Sequence, residues 1–365
     1  MYSVSSYRII LSGGGTGGHI YPAIAIAREC EARWPGSEIL FVGANGRMEM
    51  EKVPQAGYAI EGLNITGMQR SLNMKLLKFP FQVLGSFLKA RKILKSFKPD
   101  VAIGTGGFAS GPLLYAASGT VPTLIQEQNS YAGITNKLLG KRVDKICVAY
   151  DNMQRYFPAS KLEHTGNPVR PEIVAVPAEQ AAARTALGLD PDRKTLFVMG
   201  GSLGARRVNE LIAAHAEALR QDVQILWQCG KLYSETYESF NAVDGVKVQA
   251  FIQDMPAAYA AADFIISRAG AGAMSELALV GKPALLIPSP HVAEDHQTKN
   301  AQAYALEDAA LFLSEEQLDL QFEPTWANLL HDETLQNRLS HNIKQMARPD
   351  ATQRIVDEIE KLLAS

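Results

Sequence analysis

Short apolar runs alternate along the chain with longer stretches of helical periodicity. The first run, 8–11, is followed by glycines and then by a predicted helix that starts at Pro22. The same order of strand, glycine turn and helix returns after 101–103, after 196–199 and after Phe264–Ser267. Strands that alternate with helices indicate parallel sheets, and the restart near residue 195 indicates an α/β protein with two doubly wound domains.

The domain boundary is predicted from the prolines. The stretch 168–177 carries three of them, and an Ala-rich helical segment follows, so the junction should lie within 166–175. Residues 336–365 contain two helical stretches interrupted at Pro349, and we expect the last one to pack back on the first domain. We therefore predict a first domain of 1–167 with 349–365 and a second domain of 168–348.

Composition narrows the class of protein. The 365 residues are 47% hydrophobic and 20% charged with a net charge of -2, which is typical of a globular protein and argues against a nucleic-acid partner. The three cysteines are far apart and predict neither a disulfide framework nor a zinc site. The first strand leaves no room for a signal peptide, and no apolar run is long enough to span a membrane. We expect a cytoplasmic protein that meets a membrane only at its surface.

The first glycine loop, 13–18, satisfies the pattern G-x-G-x-x-G. Such a loop presents backbone N–H groups and the positive end of a helix dipole to an anion, although glycines also occur at strand-helix turns for tight packing alone. The chain lacks the acidic residue that a nicotinamide enzyme needs after the second strand, while Arg47 leaves an NADP enzyme open. No Walker A sequence is present, so NTP hydrolysis is not supported.

Six motifs follow one another along nearly the whole chain. They are GGTGGH at 14–19 with Pro22, GGFASGP at 106–112, EQN at 127–129, TGNPVR at 165–170, GGS at 200–202 and SE at 275–276. Together they resemble the signatures of the MurG family, glycosyltransferases that add N-acetylglucosamine from its UDP-sugar to undecaprenyl-diphosphate-MurNAc-pentapeptide (lipid I) and so make lipid II for peptidoglycan. Two departures are Leu203, where the family pattern has Gln, and an extra residue in 291–297.

The resemblance implies a GT-B fold, in which two Rossmann-like domains face each other across a cleft. The C-terminal domain would hold the UDP-sugar and the N-terminal domain would face the lipid acceptor. No cofactor is implied. The protein would be peripheral to the cytoplasmic face of the bacterial inner membrane, with other cell-wall synthesis and division proteins as further candidate partners.

His19 is predicted to be the catalytic residue. It follows the first glycine loop at the start of a helix, where the dipole disfavours the imidazolium and favours the neutral ring that a general base requires. By resemblance it would take the proton of the acceptor's 4-hydroxyl. The alternative is a histidine that caps the helix or positions the acceptor.

Donor-site residues are implied on the second domain. Glu276 would accept hydrogen bonds from the ribose hydroxyls, with a first-turn glutamate that stabilises the helix dipole as the alternative. Residues of the preceding string would line the nucleotide: Ala271, Gly272, Ala273, Met274 and Ser275. The backbone of Ile252 would read the uracil. Its side chain would belong to the core.

Other residues are implied at the diphosphate and the sugar. Ser202 and Arg170 would hold the diphosphate, with a helix cap and a salt bridge at the domain linker as their alternatives. His296 and Gln297 would bind the hydroxyls of the donor sugar. The remaining contacts would come from the first domain: Thr16, Gly17, Gly18 and Asn129.

No metal site is predicted. His291, Glu294, Asp295 and His296 do not have the spacing H-E-x-x-H. The expected mechanism is direct displacement at the anomeric carbon with inversion, in which helix N-termini, Ser202 and Arg170 stabilise the departing UDP.

A basic stretch predicts a membrane surface. No acidic residue lies between Glu61 and Asp100, whereas eight lysines and arginines do. Val83, Phe87, Ala90, Leu94 and Phe97 follow helical spacing and are expected in the core. Residues of the less periodic stretch before them are predicted to form an exposed apolar patch with a basic rim on anionic lipid: Met74, Lys75, Leu76, Leu77, Lys78 and Phe79. A solvated basic helix face is the alternative.

Two other functions remain open at this point. A UDP-sugar 2-epimerase shares a GT-B-like fold and a UDP site but needs no lipid acceptor, and the basic apolar stretch and His19 argue against it. A UDP-sugar sensor or cell-wall scaffold without catalysis would keep the donor site and show no turnover.

Overall fold

The computed structural model describes residues 6–66, 74–174 and 179–364, and of residues 74–79, 171 and 293 the backbone only. The chain forms two compact units. Unit 1 comprises Met1–Val169 with Asp350–Ser365, and unit 2 comprises Arg170–Pro349.

Unit 1 is built on a parallel sheet whose seven described strands have the order β3-β2-β1-β4-β5-β6-β7. The strands are β1 Arg8–Gly13, β2 Glu38–Ala44, β3 Ala59–Leu63, β4 Val101–Gly106, β5 Thr123–Glu127, β6 Lys145–Val148 and β7 Leu162–His164. The helices before the domain junction are α1 Gly17–Arg33, α2 Glu49–Gln55, α3 Met74–Phe97, α4 Ser110–Ala117 and α5 Ile134–Leu139. Central strands β4 and β5 are buried along their whole length, because helices cover both faces of a parallel sheet.

The strand order places a switch point between β1 and β4. Chain connections leave these neighbouring strands toward opposite sides of the sheet, which opens a crevice at their carboxyl ends. The glycine turns after the two strands meet there, and the N–H of Gly14 donates to the carbonyl of Gly106 over 3.2 Å. His19 and the first glycine loop therefore lie where an α/β sheet typically binds its ligand.

Helix α1 begins five residues earlier than predicted. Gly17 is its first residue, so Pro22 lies in the second turn and not in the first. A proline there removes one backbone hydrogen bond and is otherwise compatible with a helix near its start. The prediction failed because glycines 17 and 18 were assigned to the turn, whereas in the structure they form the first turn of the helix.

Unit 2 repeats the same architecture. Its described strands form a parallel sheet in the order β10-β9-β8-β11-β12-β13, with the switch point between β8 and β11. The strands are β8 Thr195–Met199, β9 Gln224–Gln228, β10 Val246–Gln249, β11 Phe264–Ser267, β12 Ala284–Leu286 and β13 Leu311–Phe312. The helices are α6 Pro171–Val174, α7 Gln180–Ala186, α8 Arg206–Leu219, α9 Ser234–Tyr237, α10 Met255–Ala261, α11 Ala271–Val280, α12 His296–Leu306, α13 Leu318–His331 and α14 Glu333–Gln345.

The last helix, α15 Ala351–Leu363, packs on unit 1. Ile355, Val356 and Ile359 are fully buried in the same cluster as residues of β1 and α1. Lys145 of β6 donates to the Glu358 carboxylate over 2.7 Å. The terminal helix thus packs on the first unit, because α1 and the sheet cover the apolar stripe of α15.

Among the described residues, no helix has the length and apolar character needed to cross a membrane.

Candidate active site

His19 is the third residue of α1, so its ring lies at the positive end of the helix. Gly106 makes room for the ring. A Cβ on Gly106 would come within 2.8 Å of two ring atoms of His19, and Gly106 has a φ of +104°, which other residues rarely adopt. The GGFASGP motif at 106–112 therefore begins with a glycine that the position of His19 requires.

Gln128, directly after β5, contacts the same ring. Its Oε1 lies 2.9 Å from Nδ1 of His19. Its Nε2 donates to the backbone carbonyls of Thr105 over 2.7 Å and of Gln126 over 3.0 Å. His19 is thus held by a buried amide, a partner that we did not predict although it belongs to the EQN motif.

An internal carboxylate occupies part of the first glycine loop. Buried Glu49 accepts the N–H of Gly15 over 2.8 Å and the N–H of Ala44 over 2.9 Å. Gly15 is therefore not open to a phosphate. Gly17 and Gly18, in the first turn of α1, have N–H groups that no intrahelical acceptor can reach, so a contact from 16–18 to a ligand stays a prediction.

Asn129 is held by the neighbouring Glu127. Glu127 is buried, and its Oε1 accepts both the N–H of Asn129 over 3.0 Å and its side-chain amide over 3.3 Å. The other oxygen accepts the N–H of Gly133 and the Nδ2 of Asn136. The carboxylate fixes the loop that follows β5, which positions Asn129 at the carboxyl edge of the sheet.

In unit 2, the Glu276 carboxylate is bonded on both oxygens. Arg170 donates to Oε1 from Nε over 3.0 Å and from Nη2 over 2.8 Å, and Tyr259 donates to Oε2 over 2.8 Å. The salt bridge that we weighed as the alternative for Arg170 is therefore present. Glu276 is the sixth residue of α11, so the alternative of a first-turn glutamate is wrong.

The electrostatics of this group favour a fixed carboxylate. Burial, together with the charge of Glu276, raises the pKa of Tyr259 well above its usual value, so the phenol remains a donor. Partial burial alone would lower the pKa of Arg170, but the Glu276 carboxylate raises it. Arg170 uses both lone pairs of Oε1 and Tyr259 uses one of the two on Oε2, so Glu276 retains acceptor capacity for one further hydroxyl group.

The start of α11 is open in front of its glycines. A Cβ on Gly270 or Gly272 would meet no protein atom within 4 Å, so the space that these glycines leave lies outside the chain. Ala271 and Ala273 belong to the same turn, and the Ser275 hydroxyl donates a hydrogen bond to the carbonyl of Ala271. An approaching ligand would meet backbone N–H groups here.

The surroundings of Met274 and Ile252 limit how either residue could contact the nucleotide, and the predicted backbone contacts stay predictions. Met274 is fully buried in the core and its carbonyl accepts the Tyr304 hydroxyl, so its side chain does not line a ligand site. The N–H of Ile252 donates to the Gln228 side chain over 2.9 Å, which leaves its carbonyl as the backbone group for a base. Burial and internal hydrogen bonds, which motif matching does not show, decide both cases.

A pocket of about 310 Å³ opens at the switch point of unit 2. It is bounded by Gly200, Gly204, Ala205, Arg206, Arg207, Arg268, Ser289, His291, Val292, Gln297 and Glu315. Helix α8 starts beside it with Ala205 as its N-cap, so no side chain caps the helix, and its first two residues are arginines. Glu210 pairs with both arginines and Asp319 with Arg207, which offsets part of their repulsion by the helix dipole, and the Arg206 side chain remains 71% exposed beside the pocket.

Ser202 lies in the exposed turn between these elements. The helix-cap alternative is wrong, because the N-cap of α8 is Ala205. The carbonyl of Ser202 accepts the N–H of Lys231 over 3.2 Å. Its hydroxyl role at a diphosphate stays a prediction.

Gln297 and His296 begin α12, and Gln297 borders the pocket. Oε1 of Gln297 accepts the N–H of Ser289 over 2.9 Å, which leaves its amide nitrogen for a ligand hydroxyl. Asp295 before the helix has a φ of +51°, a conformation that an N-cap rarely adopts. In the part of the chain that the structure describes, no three His, Cys, Asp or Glu side chains group as metal ligands.

Sequence reasoning missed the arginines of the pocket. Arg206 and Arg207 directly follow a glycine loop at a helix start, and this signal was available in the sequence. Arg268 was not predictable in this way, because its contacts with Glu315 and with the carbonyl of Ile287 come from distant segments.

Exposed apolar side chains lie on α3 after the predicted membrane stretch. Residues 74–79 form the first part of α3, and their side chains lie outside the described part of the chain. Farther along the same helix, Phe81, Leu84 and Leu88 are 76%, 56% and 56% exposed at helical spacing. Ala90 and Leu94 are buried as predicted, whereas Val83, two turns earlier on the same face, is 37% exposed because the covered part of the face does not extend to it.

Comparison with known proteins agrees with this geometry. The N-terminal domain of glycosyltransferase family 28 matches residues 9–148 and its C-terminal domain matches residues 195–355. Two Rossmann-like units of this kind define the GT-B class of glycosyltransferases.

The chain is 55% identical over 364 residues, 99% of either protein, to the UDP-N-acetylglucosamine--N-acetylmuramyl-(pentapeptide) pyrophosphoryl-undecaprenol N-acetylglucosamine transferase of Flavobacterium psychrophilum. It is similar to the crystal structure of Acinetobacter baumannii MurG, with a TM-score of 0.80 and 29% identity over 98% of this chain and all of that one. The chain therefore belongs to glycosyltransferase family 28 and, within it, to the MurG family.

A UDP-N-acetylglucosamine 2-epimerase of Neisseria meningitidis, bound to UDP-GlcNAc, matches with a TM-score of 0.65 and 14% identity over 97% of this chain and all of that one. This likeness shows the fold alone. The epimerase alternative is not favoured.

Proposed function

We propose that the protein transfers N-acetylglucosamine from UDP-GlcNAc to the 4-hydroxyl of MurNAc in lipid I and so forms lipid II. The observation that carries this proposal is the 55% identity, over 99% of either chain, to a transferase named for that reaction. The alignment covers 99% of both chains, so neither has a domain that the other lacks.

Unit 2 is the proposed donor site. The start of α11 offers backbone N–H groups in open space, and Glu276 offers its remaining acceptor lone pair to a ribose hydroxyl. The pocket beside α8 brings a helix N-terminus together with arginine side chains, which suits a diphosphate. Ser202 and Gln297 border the same region and would add hydrogen bonds to the diphosphate and the sugar.

Unit 1 supplies the proposed base. The proton of the acceptor hydroxyl passes to His19, the hydroxyl oxygen bonds to the anomeric carbon, and the bond from that carbon to the UDP oxygen breaks. UDP leaves with the bonding electrons, and the product has the inverted, β configuration. A covalent glycosyl-enzyme or an α-linked product would contradict this mechanism.

The test incubates purified protein with radiolabelled UDP-GlcNAc, with and without a short-chain lipid I analogue. We expect label in lipid and release of UDP only when the acceptor is present. Conversion of the donor to another UDP-sugar without acceptor would indicate an epimerase, and donor binding without transfer would indicate a sensor or scaffold.

Exposed side chains of α3 support the proposal of a peripheral position on anionic membrane, at the cytoplasmic face of the inner membrane. Phe81, Leu84 and Leu88 form an apolar stripe, and α3 carries no acidic residue. The stretch 74–79 would extend the same surface toward the start of the helix. Other cell-wall synthesis and division proteins are proposed as further partners of the protein.

Vesicle flotation tests the membrane surface. Changing Leu84 and Leu88 together to Ser should weaken binding to phosphatidylglycerol vesicles at least about tenfold, because each buried leucine contributes about 1.5–3 kcal/mol. The matched control is Leu306→Ser with Leu320→Ser, two leucines of unit 2 that are 85% and 80% exposed. Equal loss in both double variants would argue against a specific surface on α3.

A further inference from the structure

Gln128 has only one possible amide orientation. Its Nε2 lies within hydrogen-bond distance of three oxygens: the carbonyl of Thr105, the carbonyl of Gln126 and Oε1 of Gln126. A reversed amide would bring its oxygen against three acceptors with no hydrogen between them. The NH2 group therefore points toward these oxygens.

This orientation determines the tautomer of His19. Oε1 of Gln128 faces Nδ1 of the ring at 2.9 Å, and an amide oxygen can only accept. Nδ1 must therefore carry a hydrogen. A neutral imidazole has one N–H, so the lone pair lies on Nε2, the nitrogen that is free to take a proton.

A buried network of amides binds the backbone carbonyl of Gln128. Nε2 of Gln126 donates to Oδ1 of Asn167 over 2.8 Å, and Nδ2 of Asn167 donates back to the carbonyl of Gln128 over 3.0 Å. All three amides are buried. The network joins the EQN motif to the TGNPVR motif. Asn167 therefore has a structural role in its motif.

Charged groups near His19 have other partners. The Glu49 carboxylate accepts from Gly15 and Ala44, and the Glu127 carboxylate is held by Gly133, Asn136 and Asn129. The contact on Nδ1 is therefore a neutral amide and not a carboxylate. A neutral partner selects the tautomer without stabilising the charged ring as strongly as an acid would.

We propose that Gln128 is a positioning residue that holds His19 as the Nδ1–H tautomer, with Nε2 presented to the acceptor hydroxyl. As a statement about catalysis this rests on the proposed function, in which His19 is the base. The tautomer of the His19 ring, by contrast, is a property of the free protein and does not depend on the proposed function.

The first test is the tautomer of His19 in the free protein. Two-bond ¹H–¹⁵N correlation spectra above pH 8 distinguish a ring protonated on Nδ1 from one protonated on Nε2, and a His19→Gln variant assigns the signal. We expect the Nδ1–H pattern in the wild type and its loss in Gln128→Met. An Nε2–H pattern in the wild type would overturn the proposal.

The second test compares Gln128→Met with Gln126→Met. Either change removes one buried amide from the network, but in Gln126→Met the carbonyls of Thr105 and Gln126 still orient Gln128. We expect kcat to fall at least about tenfold in Gln128→Met, with the roughly 10²–10⁴-fold contribution of general-base catalysis as the upper range, and with KM and donor affinity nearly unchanged. The control should lose far less.

Equal losses of kcat in the two variants would show a merely structural role and would overturn the proposal. Donor binding by each variant, measured by calorimetry, shows that it is folded. A wild-type protein that transfers no sugar would instead disprove the proposed function, and the NMR result would still decide the tautomer.

Discussion

The two units contain equivalent glycine loops that are completed in different ways. Each follows the first strand of its sheet and enters a helix, and each contains a glycine with a φ of +85°, Gly15 in unit 1 and Gly201 in unit 2. In unit 1 the Glu49 carboxylate accepts the N–H of Gly15. In unit 2, among the described contacts, no carboxylate accepts a backbone N–H of the loop, and the uncapped helix α8 borders a pocket of about 310 Å³.

The difference teaches that a glycine pattern defines a turn and not its ligand. The first loop binds a carboxylate of the chain itself, whereas the second leaves its backbone N–H groups, beside the exposed Arg206, to an anion from outside. Unit 1 would then contribute a rigid frame for His19, while unit 2 would contribute the donor site. Four changes test this division.

The largest expected effect comes from His19→Ala. If unit 1 supplies only the base, kcat should fall by about 10²–10⁴-fold, while the affinity for UDP-GlcNAc, measured by calorimetry, should stay the same. Steady-state kinetics with the lipid I analogue measure the first quantity. Near wild-type turnover would refute the role of His19, and a large loss of donor affinity would refute the division between the units.

Glu49→Ala should destabilise the protein by roughly 2–5 kcal/mol. Two N–H groups, of Gly15 and Ala44, would lose their acceptor, and each such buried group costs about 1–3 kcal/mol. Urea denaturation measures the change. Ser202→Ala in the exposed turn of the second loop should change stability by less than about 0.5 kcal/mol. Similar values for both variants would mean that the loops are not completed differently.

Arg206→Ala should weaken UDP binding about threefold to tenfold with little change in stability. Its side chain is 71% exposed and lines the pocket, and one charge-assisted contact of that exposure contributes modestly. The matched control is Arg220→Ala, an arginine just after the opposite end of α8 that pairs with Glu217. Calorimetry on both variants measures the difference in UDP affinity. Equal affinities would show that Arg206 does not contribute to the donor site.

The smallest difference is expected between Gly15→Ala and Gly201→Ala. Both glycines have the same positive φ, and neither new Cβ would collide with the protein, so backbone strain alone should cost about 1–2 kcal/mol in each. Thermal or urea unfolding compares them. A much larger cost at Gly15 would show that the Glu49 contact tolerates no adjustment of the loop.

Local signals were sufficient for the architecture and for several positions of the site. The apolar runs predicted β1, β4, β8 and β11, and the break at Pro349 predicted two terminal helices. The start of α1 lies five residues before the predicted one, because a glycine occurs equally in a turn and in a first helical turn. Val83 was misassigned for a similar reason, since spacing defines a helix face but not how far the core extends along it.

The sequence by itself determined the class of protein, the order of its elements and the motifs of the site, because periodicity, glycines and prolines act on neighbouring residues. Only the tertiary structure decided which side chains meet. Glu49 reaches Gly15 across 34 positions, Arg170 reaches Glu276 across 106, and Gln128 reaches His19 across 109. These pairs form because the strand order brings distant loops to one edge of each sheet, and no local pattern carries that order.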